Sequence, residues 1–195
     1  MIIGITGGTG CGKTTLLNLV RELGGLVLDC DAIYHDLLTR DTVLLDAIED
    51  RFPGTVENGA LQRKKLGAIV FQDAAALADL NKITHGAVKT EVIRLLETAP
   101  ALAAIDAIGL FESGLDELCK LTVAVTAPED DRVTRLMARD NISREYALAR
   151  IQAQPSNEEF ARRCDHCLEN NSTQEIFQEK CIAFFSRLGI MKEKH

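Results

Sequence analysis

Residues 7–14 read Gly-Gly-Thr-Gly-Cys-Gly-Lys-Thr, and only Thr6 separates them from the apolar run Ile2-Ile3-Gly4-Ile5. This is the pattern G-x-x-x-x-G-K-[ST] of a phosphate-binding loop, placed between a short strand and a helical stretch. The glycines let the backbone turn so that successive N–H groups point at phosphate oxygens. Lys13 would supply a charge for the outer phosphates, and the hydroxyl of Thr14 could bind Mg²⁺. A plain glycine-rich turn would leave these glycines unexplained, so the stretch predicts nucleotide binding.

The bulk composition describes an ordinary globular chain. It has 195 residues, 46% of them hydrophobic and 26% charged, which suits one domain with a full core. The formal net charge of −7 argues against general binding to nucleic acid or to anionic membranes. Met1 leads straight into the first strand without a basic leader, which predicts a cytoplasmic protein. An anionic substrate would therefore need a local cluster of basic residues.

The six cysteines show no spacing typical of a disulfide framework, and a cytoplasmic chain would keep them reduced. Cys164-Asp165-His166-Cys167 could contribute to a zinc site, but a second pair of ligands is missing. The pattern therefore favours free thiols over a metal site.

Helical and extended patterns alternate along the chain. Strands are expected at 2–5, 26–28, 102–105, 121–125 and, more weakly, 167–169. Helices are expected at 14–23, over most of 32–97 with breaks near 52–54 and 57–59, after residue 128, from a start at 141–145 that Ser143 can cap, and at 172–188. Strands separated by helices predict a parallel sheet, in which ligands bind at the carboxyl ends of the strands. That rule places Gly7–Thr14, Asp29, Asp31, Asp106 and the segment after Val125 on one rim.

Two carboxylates follow the second strand. Asp29 and Asp31 would face the same way if the strand continued, and one of them could take the proton from an acceptor hydroxyl. The alternative is that Asp31 caps a helix beginning at Ala32. Asp106 ends the third strand and is a weaker candidate for a second carboxylate at the same site.

Three arginines after the fourth strand share one helix face by spacing, namely Arg132, Arg135 and Arg139. In an acidic protein this cluster suggests a lid that closes on phosphates and stabilises charge in the transition state. The alternative is a solvated helix face paired with Glu129, Asp130 and Asp131.

The chain resembles the dephospho-coenzyme A kinase family in stretches that occur in the same order from about residue 1 to 188. These are Ile5–Thr14, Asp29-Cys30-Asp31, Arg63–Phe71, Ile83-Thr84-His85, Leu110-Phe111-Glu112, Arg132–Gln154 and the late Asp165 and Asn170. The resemblance implies a P-loop NTPase-like α/β fold of three layers with a five-stranded parallel sheet. It also implies a single domain over 1–195, with a core (1–31, 99–126, 156–195), a helical acceptor-binding part (32–98) and a lid (127–155).

The resemblance implies transfer of the ATP γ-phosphate to the ribose 3′-hydroxyl of dephospho-coenzyme A, with Mg²⁺ as cofactor. The partners would be these small molecules, without nucleic acid or membrane, and a monomer is slightly favoured. Asp31 would be the general base, and Lys13 and Arg139 the other catalytic residues. The loop and the lid would bind the nucleotide through Gly8, Thr9, Gly10, Cys11, Gly12, Lys13, Thr14, Thr15 and Arg135. Thr14 would also be the metal ligand. The acceptor would contact Asp29, Asp31, Phe71 and His85.

The chain departs from the family pattern at a few positions: Cys11 replaces a serine, Gly86 a proline, Ile108-Gly109 a Pro-Leu pair, and Ser172 a glycine. The Cys11 thiol would be reactive if Lys13 and the helix end lowered its pKa.

Two other functions stay open, a P-loop kinase of another small acceptor such as a nucleoside monophosphate, and a nucleotide-dependent switch protein. The switch is disfavoured because Asn81-Lys82-Ile83-Thr84 lacks the aspartate of a guanine-binding motif.

Overall fold

The computed structural model describes residues 1–190, which form two compact units. The first contains Met1–Leu28 and the chain from Ala99 onward, and the second contains Asp29–Thr98. The strands are β1 (Ile2–Thr6), β2 (Leu26–Asp29), β3 (Val56–Glu57), β4 (Ala60–Leu61), β5 (Ala103–Asp106), β6 (Leu121–Thr126) and β7 (His166–Glu169). The helices are α1 (Lys13–Glu22), α2 (Cys30–Arg40), α3 (Thr42–Arg51), α4 (Arg63–Val70), α5 (Ala74–Leu96), α6 (Glu129–Asp140), α7 (Arg144–Gln152), α8 (Asn157–Arg163) and α9 (Gln174–Arg187).

The main sheet has five parallel strands in the order β2-β5-β1-β6-β7. The glycine-rich stretch leaves the central strand β1, whose Ile3 lies beside Ala104 of β5 and Leu121 of β6. Because the strands are parallel, their carboxyl ends meet at one edge. The five predicted strands and the three-layer α/β/α class are confirmed.

The core of the first unit lies between this sheet and two helices. Ile3 and Ile5 of β1 are fully buried, and they belong to one apolar cluster with Leu16 and Val20 of α1 and with Phe185 of α9. Burying each such side chain contributes about 1.5–3 kcal/mol before the entropy of ordering is subtracted. This cluster fixes α1, and with it the turn that joins β1 to α1. The last residues of the predicted core segment, 191–195, lie outside the described residues.

The second unit consists of α2–α5 and a short antiparallel hairpin of β3 and β4. The chain was expected to break near residues 52–54 and 57–59, and it does so, but the second break is a hairpin turn, which the sequence pattern does not indicate. Asn58 and Gly59 both have positive φ there, 52° and 74°, as a tight hairpin turn requires. Glu49 holds the first break by accepting hydrogen bonds from the N–H groups of Gly54 and Val56 at 2.6 and 2.7 Å.

Helices α6 and α7 pack through their own apolar cluster of Val133, Leu136, Ala147 and Ile151. The predicted cap of α7 is confirmed, since the hydroxyl of Ser143 accepts a hydrogen bond from the N–H of Tyr146 at 3.2 Å. No helix within residues 1–190 is long and apolar enough to cross a membrane.

Candidate active site

The glycine-rich turn between β1 and α1 passes too close to its neighbours for side chains at several positions. A Cβ on Gly7, whose φ is 138°, would lie 2.1 Å from the carbonyl oxygen of Val125. A Cβ on Gly12, whose φ is 96°, would lie 2.3 Å from Nδ2 of Asn170. These contacts explain the glycines at the two ends of the turn by packing and by backbone conformation together.

Helix α1 begins at Lys13, directly after Gly12, and no acidic residue lies in its first turn. The first N–H groups of a helix have no partner within the helix, and the helix dipole adds partial positive charge there. The ammonium of Lys13 donates to the carbonyl of Gly7 at 2.9 Å and lies 3.8 Å from Oδ1 of Asp106. The arrangement is chemically suited to an anion such as a phosphate group.

A cavity of about 400 Å³ opens beside this helix end. Its walls come from the loop, α1, α6 and α9 and from Asn170: Gly12, Thr14, Thr15, Asn18, Arg135, Asn170, Gln174 and Phe177. A volume of this size falls in the range of small-molecule sites. Of the residues predicted to bind nucleotide, four line this cavity, namely Gly12, Thr14, Thr15 and Arg135.

The three arginines of α6 differ in what they contact. Arg132 is only 3% exposed, and its Nε donates to the carbonyl of Thr9 at 2.9 Å. Arg135 donates from Nη1 to the carbonyl of Gly10 at 3.2 Å. Arg139 instead binds the neighbouring carboxylate of Asp140, through Nε at 2.7 Å and Nη2 at 2.9 Å. Arg132 and Arg135 therefore reach the loop, whereas Arg139 is engaged by its own neighbour.

The alternative of a solvated, acid-paired helix face holds for part of this region. Arg135 lies 3.9 Å from Oδ2 of Asp131, and Arg144 lies 2.7 Å from Oδ1 of Asp130. Hydrogen bonds, first from Arg139 and then from Arg150, hold the pKa of the Asp140 carboxyl well below its usual range. On this face, Arg132 and Arg135 contact the loop, whereas the exposed Arg139 forms an ion pair.

The expectation for Cys11 was wrong in its direction. The side chain is buried, and desolvation raises the pKa of the thiol, outweighing the nearby charges of Lys13 and Arg132 that favour the thiolate. A buried thiol with a raised pKa is a packing residue rather than a reactive one.

Two residues at the site, Gln154 and Asn170, were not among the predicted site residues, and Arg132 was predicted only as a member of the arginine cluster. Oε1 of Gln154 accepts a hydrogen bond from the N–H of Thr9 at 2.7 Å. Nδ2 of Asn170, which is buried after β7, donates to the carbonyl of Cys11 at 3.0 Å. The resemblance had drawn attention to Gln154 and Asn170, but only as matches in the pattern, without a role.

Four of the predicted residues belong to the second unit and are described within it. Asp29, not Asp31, caps α2, because its Oδ1 accepts from the N–H of Ala32 at 3.0 Å. The helix begins at Cys30, two residues earlier than expected, so Asp31 lies exposed in the first turn and strand alternation does not apply. Phe71, at the end of α4, is 83% exposed, and His85 is half-buried within α5.

The remaining candidate features are Asp165 and the stretch Cys164–Cys167. Asp165 accepts from the N–H and the hydroxyl of Thr122 at 2.7 and 2.9 Å, which ties the start of β7 to β6. Within residues 1–190, no group of three or more His, Cys, Asp or Glu side chains is arranged to hold a metal ion.

The family model of dephospho-CoA kinase matches residues 1–175 of this chain. Among curated relatives, the dephospho-CoA kinase of Listeria innocua is 34% identical over 191 residues, covering 95% of this chain and 96% of the relative. That of Deinococcus radiodurans is 37% identical over 192 residues, covering 96% and 92%.

Two solved structures are also similar. A protein from Thermus thermophilus superposes with a TM-score of 0.80 at 35% identity, covering 96% of this chain and 97% of that one. The dephospho-CoA kinase from Campylobacter jejuni has a TM-score of 0.67 at 25% identity, covering 97% and 98%. The glycine-rich loop on β1, the arginines of α6 and the extent of these matches lead to one conclusion: the chain belongs to the dephospho-CoA kinase family.

Proposed function

We propose that this chain is an ATP-dependent dephospho-CoA kinase (EC 2.7.1.24), which transfers the γ-phosphate of ATP to the ribose 3′-hydroxyl of dephospho-CoA. The products would be ADP and coenzyme A, so the reaction is the last step of coenzyme A synthesis. The observation that carries the proposal is the anion site at the start of α1, in a chain that matches this family over residues 1–175.

The nucleotide would bind with its phosphates at the loop. N–H groups of the first turn of α1 and the ammonium of Lys13 would face the phosphate oxygens. Arg135 lines the adjoining cavity and would add a second positive charge from α6. Phosphoryl transfer depends chiefly on positioning and on stabilising charge. This arrangement can supply both without a covalent bond between the protein and the phosphoryl group.

The donor chemistry at the loop fits a magnesium ion. The hydroxyl of Thr14 borders the cavity beside Gly12, and Mg²⁺ prefers such oxygen ligands together with substrate phosphates. Thr14 would therefore hold the ion. When bound, Mg²⁺ neutralises part of the charge on the phosphates.

The acceptor side would lie in residues 32–98 of the second unit, with contacts from Phe71 and His85 and from Asp29, which precedes this part. Asp31 would accept the proton of the 3′-hydroxyl. The hydroxyl oxygen would form a bond to the γ-phosphorus while the bond between that phosphorus and the ADP oxygen breaks. Its exposed position in the first turn of α2 leaves the carboxylate accessible for that role.

Residues 127–155 would act as the lid, as the resemblance implies. Arg139 would stabilise charge on the transferring group by exchanging the carboxylate of Asp140 for phosphate oxygens. A guanidinium suits either partner because its planar fork binds carboxylate and phosphate in the same way.

The test is coupled ADP release with ATP and Mg²⁺, with dephospho-CoA compared against adenosine, AMP, CMP and shikimate. We expect rapid turnover with dephospho-CoA alone. Lys13→Ala should lower that turnover by orders of magnitude, whereas Lys120→Ala, on an exposed residue, should leave it unchanged. Turnover with a different acceptor would assign the chain to another kinase activity, and ATP binding without any turnover would favour a nucleotide-dependent switch.

A further inference from the structure

Both polar groups of the backbone of Thr9 are held by side chains from residues 127–155. The N–H of Thr9 donates to Oε1 of Gln154 at 2.7 Å, and its carbonyl accepts from Nε of Arg132 at 2.9 Å. Nη2 of Arg132 also donates to Oε1 of Gln154 at 3.4 Å. The three residues therefore form a closed set of hydrogen bonds, which we call the Thr9 brace.

The brace differs from the surface contacts of the same helix because its arginine is buried. A buried guanidinium is costly unless its N–H groups are hydrogen-bonded, and here the partners are a carbonyl and an amide oxygen. Burial lowers the pKa of Arg132, opposed by the weaker influence of Cys11 and Glu129. The hydrogen bonds to Thr9 and Gln154 hold the guanidinium next to the loop despite this cost.

The loop lies directly against this arginine. A Cβ on Gly8 would come within 2.2 Å of Nη2 of Arg132, and a Cβ on Gly10 within 2.9 Å of its carbonyl oxygen. The middle of the loop is therefore shaped by α6 as well as by its own backbone preferences. Neither Arg132 nor Gln154 lines the cavity beside α1, and both contact the loop at Thr9.

We propose that Arg132 and Gln154 are positioning residues for nucleotide binding, which hold the phosphate-binding loop in its binding conformation through Thr9. A loop fixed in advance loses less conformational freedom when a phosphate binds, so affinity rises without a new contact to the ligand. The Thr9 N–H is committed to Gln154, and the phosphate is left to the other N–H groups of the loop and of α1. The inference rests on the proposed function only in requiring that a nucleotide binds at this loop.

The experiment is equilibrium binding of Mg-ADP to the full chain without acceptor, by calorimetry, for Gln154→Leu, Arg132→Met and the double variant. Each single variant leaves a backbone polar group of Thr9 without its partner, the N–H in Gln154→Leu and the carbonyl in Arg132→Met, and we expect the Kd to rise about tenfold. Because the three groups form one set, the double variant should weaken binding by much less than the product of the two single effects. Gln152→Leu and Arg162→Met, on exposed residues, are the matched controls and should bind as the wild type does.

Arg132→Lys separates charge from geometry. Lysine keeps the positive charge but cannot bridge Thr9 and Gln154 with a planar fork, so weakened binding is expected for this variant as well. In steady-state kinetics, KM for ATP should rise in the brace variants, whereas KM for dephospho-CoA and kcat should change little.

The proposal is overturned if Gln154→Leu and Arg132→Lys bind Mg-ADP as tightly as the wild type and only their melting temperatures fall. The brace would then stabilise the fold without affecting nucleotide binding. Tighter binding would overturn the proposal too, since it would mean that a free Thr9 N–H serves the phosphate better. Should Arg132→Met not fold, Gln154→Leu and Arg132→Lys decide the question. A wild-type chain that binds Mg-ADP but does not phosphorylate dephospho-CoA refutes the proposed function and leaves this test intact; one that does not bind Mg-ADP refutes both.

Discussion

Replacing Gly12 by alanine tests the physical account of the loop, because two separate penalties meet at this position. Its φ of 96° is a conformation that costs an L-residue about 1–2 kcal/mol. The added Cβ would also lie 2.3 Å from Nδ2 of Asn170, which donates to the carbonyl of Cys11. Displacing that buried amide should cost about 1–2 kcal/mol more, since a buried carbonyl loses its partner. We expect Gly12→Ala to lower the free energy of unfolding by about 3 kcal/mol.

Two other glycines serve as matched controls. Gly24 has a positive φ of 75° but open space around its Cβ position, so Gly24→Ala carries the backbone penalty alone, about 1–2 kcal/mol. Gly86 lies inside α5 with open space and no such φ, so Gly86→Ala should instead stabilise the chain by about 0.5–1 kcal/mol.

The assay is urea unfolding of the three variants, followed by circular dichroism, with thermal unfolding as a second measure. In a chain of this length, each kcal/mol corresponds to roughly 2–4 °C in Tm. The reasoning is refuted if Gly12→Ala is no less stable than Gly24→Ala, since the contact with Asn170 would then carry no energy. If Gly86→Ala lowers the stability instead, the open space around this position is not enough to predict the effect of an added methyl group.

Three further predictions concern titrating groups and the proposed base. Asp31→Asn should spare ATP binding while lowering kcat; weaker ATP binding with kcat retained would contradict the role of this carboxylate as the base. Hydrogen bonds, first from Arg94 and then from Arg40, lower the pKa of Glu91 from 4.5 to about 2, so its contribution to stability is complete above pH 4.5 and is lost as the pH falls towards 2. In Glu91→Gln, the urea midpoint should therefore fall less between pH 4.5 and 2.5 than it does in the wild type. An equal fall in both proteins would count against a stabilising role of these ion pairs. Iodoacetamide at pH 8 should label the exposed Cys167 well before the buried Cys11, as peptide mass spectrometry would show; equal rates would argue that Cys11 is accessible.

Elements with a strong local signal could be predicted from the sequence. The apolar runs of the five strands, the glycines before α1 and the hydroxyl cap at Ser143 each depend on neighbouring residues, so their patterns can be read along the chain. The β3–β4 hairpin was missed because its strands are two residues long, too short for an alternating pattern. Its turn residues, Asn58 and Gly59, were nevertheless recognised as a break.

The cap of α2 shows the limit of local reasoning over a few residues. Both Asp29 and Asp31 suit a cap by residue type, and the sequence pattern alone allows either. The helix begins at Cys30, which gives the cap to Asp29 and leaves Asp31 in the first turn. A shift of two residues in one boundary thus exchanged the two carboxylates' surroundings.

By itself, the sequence determined the strand–loop–helix unit at the N-terminus, the alternation that makes a parallel sheet, and the family. Only the tertiary structure decided which arginine of α6 is buried, what Gln154 and Asn170 hold, and that burial outweighs charge at Cys11. The reason is distance along the chain: Arg132 meets Thr9 across 123 positions, and Asn170 meets Cys11 across 159. Spacing on a helix shows which side chains share a face, but the neighbour on which that face packs is chosen by the folding of the whole unit.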